Sequence, residues 1–263
     1  MIGLFLGSTD FPKKILNKIK KKKKKYFIID LTKNNFFKKN KNSYFIGIGK
    51  FGQIINLIKE KKCKKVLFAG KIDKPKISNL RLDIKGFFYL PRIIKSSKLG
   101  DAAILKELIK ILAENRITVI KSNFFNPELT LSKGNFSKIK PNRIDLSNIK
   151  LGIKSLNKIN AHNHVQGLVV RNNVVIAKET HFGTKKMLLS INKSIKNQGI
   201  LIKFPKRKQD LRADLPTIGI DTLKDCKRVN IKGIVLKANQ NIFLDKKKAI
   251  DFANKNKIFI KII

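Results

Sequence analysis

Short apolar runs alternate with helical, lysine-rich segments through the first half of the chain. Ile2 to Leu6 is apolar and ends in Gly7-Ser8-Thr9-Asp10; Pro12 then opens a lysine-rich helix, and Tyr26 to Leu31 is apolar again. An apolar run, a helix and a second apolar run predict a β-α-β unit with parallel strands. The unit continues through strand Tyr44 to Ile48, helix Gln53 to Lys61, strand Lys65 to Ala69, helix Asp101 to Asn115 and strand Ile117 to Lys121. We therefore expect a Rossmann-like parallel sheet flanked by helices.

A polar stretch from Ser132 to Asn148 interrupts this pattern. We take it as a domain boundary and expect an N-terminal Rossmann-like domain over residues 1–134 and a C-terminal catalytic α/β domain over 140–263. Asn172-Asn173 between apolar runs predicts a hairpin. The other elements expected are helix Ile149 to Ile159, helix Thr184 to Lys196, strand Ile200 to Phe204, strand Gly233 to Leu236 and helix Lys246 to Lys255.

The net charge is +43, from 60 basic and 17 acidic residues, which normally indicates nucleic acid or anionic lipid as a partner. The lysines, however, are spread through nearly every segment together with Asn, Ile and Phe, as an A/T-rich genome produces. The run Lys20 to Lys25 is best explained as a solvated helix end. No RNP strand, zinc knuckle or leucine zipper occurs, so we expect no nucleic-acid partner. A non-catalytic basic protein bound to nucleic acid or anionic lipid stays an open alternative.

The two cysteines, Cys63 and Cys226, lie far apart and form no CxxC motif, which favours packed thiols in a reducing cytoplasm. No apolar run approaches the roughly 18 residues that span a bilayer, and the N-terminus lacks the leading charges of a signal peptide. We expect a cytoplasmic protein that can touch a membrane surface.

Gly47, Gly49 and Gly52 form a G-x-G-x-x-G pattern, which is typical of dinucleotide sites. It follows the third expected strand rather than the first, and the strand after it ends in Ala69-Gly70-Lys71 without the acid that binds ribose. An NAD(P)-binding oxidoreductase is therefore an alternative rather than the main interpretation. Gly7-Ser8 and Gly70-Lys71 end parallel strands and should face one crevice, where backbone N–H groups can hold a phosphate.

The segment KFPKRKQDLRADLPTIGID concentrates charge in a chain with few acids. If it is extended, Asp210, Arg212 and Asp214 lie on one face, because side chains of a strand alternate. Two carboxylates beside a guanidinium suit Mg²⁺ and a pyrophosphate, whereas a surface loop of salt-bridged charges is the equally open alternative.

Several motifs occur in order along nearly the whole chain: G-I-G-x-F-G-x-I, F-A-G-x-I-x-x-P, Gly100-Asp101, Gln166-Gly167, Glu179 before Gly183-Thr184, and K-x-x-K-x-x-Q-D-x-R-x-D-x-P-x-x-G. Together they closely resemble the Mg²⁺-dependent UDP-2,3-diacylglucosamine pyrophosphatases of lipid A biosynthesis. The calcineurin-like enzymes for the same reaction need D-x-H and G-N-H motifs, and His162, His164 and His181 stand in no such setting. We expect these three histidines to be ordinary polar residues.

The resemblance implies a hydrolase that converts UDP-2,3-diacylglucosamine to UMP and the diacylglucosamine 1-phosphate called lipid X. It further implies a two-domain α/β architecture with the ligand cleft between the domains, Mg²⁺ as cofactor, and a cytoplasmic location peripheral to the inner membrane. A homodimer is open.

Carried over by position, the resemblance implies roles for particular residues. Asp214, Asp210 and Arg212 would be catalytic, and Asp214, Asp210 and Glu179 would bind the metal. The implied substrate-binding residues are Gly7, Ser8, Gly70, Lys71, Gln166, Gly183, Thr184, Lys203 and Lys206. Phe182 and Lys185 replace two acids that are frequent in the family beside Gly183-Thr184, which puts the role of the Glu179 region in question.

Overall fold

The computed structural model describes residues 1–72, 77–162, 165–192, 198–207 and 209–263. The chain forms two compact units. The first contains Met1–Pro127 together with Gln209–Asp214, and the second contains Glu128–Lys208 and Leu215–Ile263. A short segment that is late in the sequence therefore belongs to the N-terminal unit.

The first unit is a parallel sheet connected by helices. In chain order its elements are β1 (Ile2–Leu6), α1 (Asp10–Lys21), β2 (Tyr26–Asp30), β3 (Ser43–Phe45), α2 (Phe51–Glu60), β4 (Lys65–Ala69), α3 (Ile84–Ser97), α4 (Asp101–Glu114) and β5 (Thr118–Ile120). The strand order is β3-β2-β1-β4-β5, and each neighbouring pair is parallel. This order changes direction between β1 and β4, which is where open α/β sheets bind their ligands.

The core of the first unit follows from strand alternation. Phe5 and Phe68 stack with ring centroids 4.6 Å apart on one face of the sheet. The same cluster contains Ile54, Leu57 and Ile58 of α2 and Ile109 and Leu112 of α4. Leu4 and Leu6 are fully buried and point to the opposite face, because neighbouring side chains of a strand alternate. The near-continuous apolar strands are thus explained by burial on both faces.

The expected β-α alternation of the first unit is confirmed, with small shifts at the ends. β1 and β4 have the expected bounds, whereas α1 begins at Asp10, before Pro12. α3 was not predicted, since Gly86 and Pro91 inside it are poor helix formers. A signal was present in Asp83, whose carboxylate accepts from the Gly86 N–H over 2.7 Å as an N-cap.

The second unit contains a mixed sheet with the order β6-β13-β11-β9-β7-β8. β9, β11 and β13 are parallel neighbours, whereas β6, β7 and β8 pair antiparallel. A separate parallel pair joins β10 and β12. The elements are β6 (Gly134–Asn135), α5 (Arg143–His162), β7 (Gly167–Arg171), β8 (Val174–Lys178), α6 (Gly183–Leu189), β9 (Gly199–Lys203), β10 (Thr217–Ile218), α7 (Ile220–Arg228), β11 (Ile231–Leu236), β12 (Ile242–Phe243), α8 (Lys246–Lys255) and β13 (Phe259–Ile262).

The hairpin of the second unit is confirmed. Asn172 and Asn173 have φ of 49° and 55°, as a tight turn of left-handed residues requires. The expected start of α5 was wrong: the helix begins at Arg143, where Asp145 and Asn142 cap each other with N–H to oxygen distances of 2.9 and 3.0 Å. α6 ends at Leu189, and residues 193–196 of the expected helix lie outside the described residues. α7 and β13 were not predicted.

The lysine run at the end of α1 is solvated, as expected from the sequence. Lys20 to Lys25 are exposed around the C-terminal end of α1. Within the described residues, no helix has the length and apolar character needed to cross a membrane.

Candidate active site

The loops after β1 and β4 touch at the point where the sheet order changes direction. The Ser8 N–H donates to the Lys71 carbonyl oxygen over 2.8 Å, and the Ser8 hydroxyl donates to the same oxygen over 3.2 Å. A Cβ added to Gly7 would collide with the Lys71 carbonyl. Gly70 has φ +89°, and a Cβ there would lie 2.5 Å from the Pro12 ring. These glycines therefore allow the two loops to approach closely at the carboxyl edge of the sheet.

Two glycines of the turn at Gly47 to Gly52 are explained by close packing against the segment before α3. A Cβ at Gly49 would lie 2.8 Å from the Arg81 carbonyl oxygen, and one at Gly52 would lie 2.9 Å from Asp83 Oδ2. Asp83 accepts from the Gln53 N–H over 2.9 Å as well as from Gly86. One carboxylate thus serves the N-terminal turns of both α2 and α3. The anion position that a dinucleotide phosphate would occupy at α2 is filled by this side chain.

Dinucleotide-binding folds place the acid that binds the ribose at the end of a strand, and Asp30 lies at the end of β2. Asp30 is fully buried, and its Oδ1 accepts from the Thr32 N–H and hydroxyl over 2.9 and 2.7 Å. Its Oδ2 accepts from the Phe37 N–H over 2.9 Å. Asp30 therefore stabilises the loop after β2, and Asp73, the acid nearest the expected ribose position after β4, lies outside the described residues. Because its two oxygens are occupied in this way, Asp30 does not favour a nicotinamide cofactor.

The segment Gln209–Asp214 is a turn, so the expectation of an extended strand was wrong. The N–H groups of Ala213 and Asp214 donate to the Asp210 carbonyl over 3.2 and 3.0 Å, which closes one helical turn. Ser122, just after β5, donates its N–H to the Arg212 carbonyl over 2.7 Å, and Ala213 packs against the core of the first unit. The turn is therefore anchored beside β5, at the same edge of the sheet as the glycine loops.

Asp210 and Arg212 form an ion pair with two hydrogen bonds within this turn. Arg212 Nη2 donates to Asp210 Oδ2 over 2.7 Å, and Arg212 Nε donates to Oδ1 over 3.0 Å. The guanidinium holds the pKa of Asp210 below its ordinary value despite partial burial, with a smaller contribution from the charge of Lys106. The same hydrogen bonds raise the pKa of Arg212. Asp210 is thus ionised near neutral pH, and the pair presents a fixed cation whose side chain is 47% exposed.

A hydrogen-bonded cluster in the second unit gathers four of the expected site residues. Lys203, at the end of β9, lies 3.0 Å from Glu179 Oε2 and 3.3 Å from Oε1. Lys203 also donates to the Thr184 hydroxyl, and the Gln166 amide donates to Glu179 Oε1 over 3.3 Å. The side chains of Lys203 and Glu179 are only 4% and 5% exposed. The arrangement neutralises a buried ammonium inside the fold.

Other expected residues lie near this cluster in sequence. Gly183 begins α6 with φ +86°, and Lys206 is partly buried in the loop after β9. The rings of His181 and Phe182 lie in contact, with centroids 3.8 Å apart and planes tilted by 38°. His164 lies outside the described residues, as does the side chain of His162.

The predicted metal ligands divide between the units. Asp210 and Asp214 lie on the turn of the first unit, whereas Glu179 belongs to the second. Among the described residues, no three His, Cys, Asp or Glu side chains form a group that could hold a metal. The two carboxylates of one backbone turn can still suit Mg²⁺, which commonly takes one or two from a protein and fills its octahedron with water and substrate phosphates. Glu179 fits less well, because its side chain is 5% exposed and pairs with a buried ammonium, whereas Asp210, although paired with Arg212, is 16% exposed.

Sequence reasoning missed Ser122 and Lys106, which support the turn Gln209–Asp214, and Asp83, which caps α2 and α3. Ser122 holds the turn through its backbone, which leaves no side-chain signal. Lys106 acts by charge from α4, and one lysine among many in this chain carries no sequence signal. Only Asp83, an acid three residues before Gly86 in a helix start, could have been found from a capping pattern.

The fold defines a two-unit α/β protein, with the glycine loops and the turn Gln209–Asp214 at the carboxyl edge of the parallel sheet of its first unit. Two family models match consecutive parts of the chain, "LpxI N-terminal domain" over residues 1–129 and "LpxI C-terminal domain" over residues 132–261. Together they span nearly the whole chain, which therefore belongs to the LpxI family.

A curated relative supports this membership. The chain is 29% identical over 223 residues to the UDP-2,3-diacylglucosamine pyrophosphatase LpxI of Caulobacter vibrioides. The alignment covers 82% of this chain and 80% of the relative, so the similarity extends through both units.

Proposed function

We propose that the chain hydrolyses the pyrophosphate bond of UDP-2,3-diacylglucosamine to UMP and lipid X, with Mg²⁺. The observation that carries the proposal is the anchored turn Gln209–Asp214, which adds two carboxylates and an arginine to the sheet edge that bears the glycine loops. Family membership and the name of the relative support the substrate.

The glycine loops and Arg212 bind the phosphates in this proposal. The loops after β1 and β4 pack together at this edge of the sheet, where α1 begins, and N–H groups of the first turn of a helix can hold a phosphate. Arg212 is oriented by Asp210 through two hydrogen bonds, so its charge is fixed before the ligand arrives. A fixed cation stabilises the charge that develops on the leaving phosphate more than it stabilises the substrate.

Asp214 is the group that acts on the attacking water. The water oxygen adds to one phosphorus, the bond from that phosphorus to the bridging oxygen breaks, and the bridging oxygen leaves with the other phosphate. Asp214 orients this water and accepts its proton. Mg²⁺ held by Asp214, with Asp210 beside it, would neutralise phosphate oxygens and lower the pKa of bound water.

We assign Glu179 a positioning role rather than a metal role. Its carboxylate is used by Lys203, and the pair also holds Thr184 and Gln166 in place. Gly183 and Lys206 remain candidates for substrate contact from the loops around this cluster.

The direct test is to incubate the purified protein with detergent-dispersed UDP-2,3-diacylglucosamine and Mg²⁺ and to detect UMP and lipid X by mass spectrometry. We expect both products in equal amounts with Mg²⁺ and neither after chelation. A folded protein that releases no UMP, or that works fully in EDTA with no metal retained, would contradict the proposal.

A further inference from the structure

Helix α3 exposes an apolar face that the fold does not use. Ile84, Phe87 and Phe88 are 92%, 74% and 71% exposed, and Pro91 is also exposed. Positions separated by three, four and seven residues lie on one side of a helix. We call these four residues the α3 face.

The opposite side of α3 holds the helix in the first unit. Tyr89 is buried and packs with Ile55 and Ile111. Arg92 donates to Glu107 and Glu114 of α4 over 2.8 Å each, through Nε and Nη1. Asp83 fixes the N-terminal end. The α3 face is therefore rigidly presented, and of its two rings Phe88 touches the packed side, edge-on against Tyr89 with ring centroids 5.2 Å apart.

Basic residues surround the α3 face. Arg81, Lys95 and Lys98 are exposed and Lys85 is partly exposed, while the sequence of α3 contains no acidic residue. An apolar face with a basic border is complementary to the surface of an anionic bilayer, where phosphates meet acyl chains. A net charge of +43 adds attraction of the same sign at longer range.

We propose that the α3 face docks onto an anionic lipid bilayer, with Phe87 and Phe88 inserted at the boundary between headgroups and acyl chains. The choice of a bilayer over an acidic protein rests on the proposed function, because the proposed substrate carries two acyl chains and lies in a membrane. Docking by this face would bring the first unit to the surface from which the substrate is taken.

The chain contains no tryptophan, so a single Trp can report insertion. We expect Phe87→Trp to shift its emission to shorter wavelength with vesicles of phosphatidylcholine and phosphatidylglycerol, and to be quenched by brominated acyl chains. The matched control is Phe36→Trp, whose parent side chain is 57% exposed and lies outside α3. Its emission should not move. Unchanged emission of Phe87→Trp would overturn the proposal.

A binding measurement completes the test. In co-sedimentation at high salt, where attraction by the scattered lysines is screened, Phe87→Ser/Phe88→Ser should bind at least about tenfold more weakly than the parent. The control Phe36→Ser/Phe45→Ser changes two rings of similar exposure and should bind like the parent. Equal vesicle binding by the α3 variant and the parent would overturn the proposal. If the variant also changed the protein from a dimer to a monomer, the α3 face would be an interface between two copies of the chain.

These measurements need no substrate. A protein that binds vesicles through the α3 face but releases no UMP from dispersed substrate would contradict the proposed function alone. Turnover without vesicle binding would contradict the docking surface alone.

Discussion

The N–H of Ser122 donates to the carbonyl oxygen of Arg212 over 2.7 Å. This bond, with the packing of Ala213 on the first core, attaches a late segment of the chain to the N-terminal sheet. The carboxylates of Asp210 and Asp214 and the guanidinium of Arg212 are therefore held by the same unit as the glycine loops.

Replacing Asp214 tests the catalytic assignment. We expect Asp214→Ala to lower UMP release at least about a hundredfold, because the positioned group that acts on water is lost, while the melting temperature changes little. Asp221→Ala is the matched control, since that carboxylate is 92% exposed in α7. Asp225→Ala should lower stability, because Asp225 is buried against Arg228 at 2.9 Å, but should retain the rate per folded molecule. A dead Asp225 variant with an active Asp214 variant would mean that the site is elsewhere.

Detaching the turn should remove activity without unfolding either unit. Ala213→Asp places a charge against the core that Ala213 contacts, so the turn should leave the sheet edge. We expect turnover to fall at least about tenfold, as when a catalytic group is displaced by an ångström or more, and the Ser122 amide to exchange with deuterium faster. Ala213→Ser, similar in size, should retain both properties. Normal turnover in a variant with an unprotected Ser122 amide would show that anchoring is unnecessary.

Local patterns predicted the local structure well. Asn172-Asn173 formed the expected hairpin, and α8 has the expected bounds Lys246–Lys255. Both are set by neighbouring residues: left-handed Asn residues in one case, and an amphipathic period in the other.

The turn Gln209–Asp214 could not be predicted in the same way. Charges at alternate positions indicate a strand only if the backbone is extended, and here the Asp210 carbonyl accepts the Asp214 N–H instead. Which unit the turn joins depends on Ser122, and a bond between distant backbone groups leaves no trace in either local sequence. The pairing of Glu179 with Lys203 is likewise non-local, although both residues were expected near one site.

Substitutions can distinguish whether Glu179 balances the charge of Lys203 or binds the metal. Glu179→Gln leaves a buried ammonium unbalanced and should destabilise the protein by about 3–5 kcal/mol in urea unfolding. Glu179→Leu/Lys203→Met removes both charges and should recover most of that loss. If Glu179 were a metal ligand, Glu179→Gln would instead raise the Mg²⁺ concentration needed for turnover and leave stability almost unchanged.

Two glycines of the G-x-G-x-x-G pattern form a matched pair. Gly49→Ala should cost about 1–3 kcal/mol, because the new methyl group would meet the Arg81 carbonyl at 2.8 Å. The methyl group added by Gly47→Ala would have no atom within 4 Å. This variant should be neutral or more stable by up to about 1 kcal/mol, since alanine restricts the unfolded chain. Denaturant unfolding measures both. Equal losses would show that the turn has another role, and a melting shift with NAD(H) would restore the dinucleotide interpretation.

Asp83 should make the stability of the first unit depend on pH. Burial alone raises the pKa of Asp83, but the N–H groups of Gln53, Gly86 and Gly52 outweigh burial and hold the pKa below its ordinary value. A carboxyl whose folded pKa is lowered stabilises the protein above its unfolded pKa of about 3.9, and this contribution disappears as the pH falls through the folded pKa.

Asp83→Asn keeps a capping side chain without the charge. In urea unfolding at several pH values, the parent should exceed this variant by a constant amount from about pH 7 to 5, and the difference should shrink below about pH 4. Asp221→Asn is the control and should differ little from the parent over the whole range. A difference for Asp83→Asn that grows in acid would contradict a lowered pKa and, with it, the use of this carboxylate as the anion shared by α2 and α3.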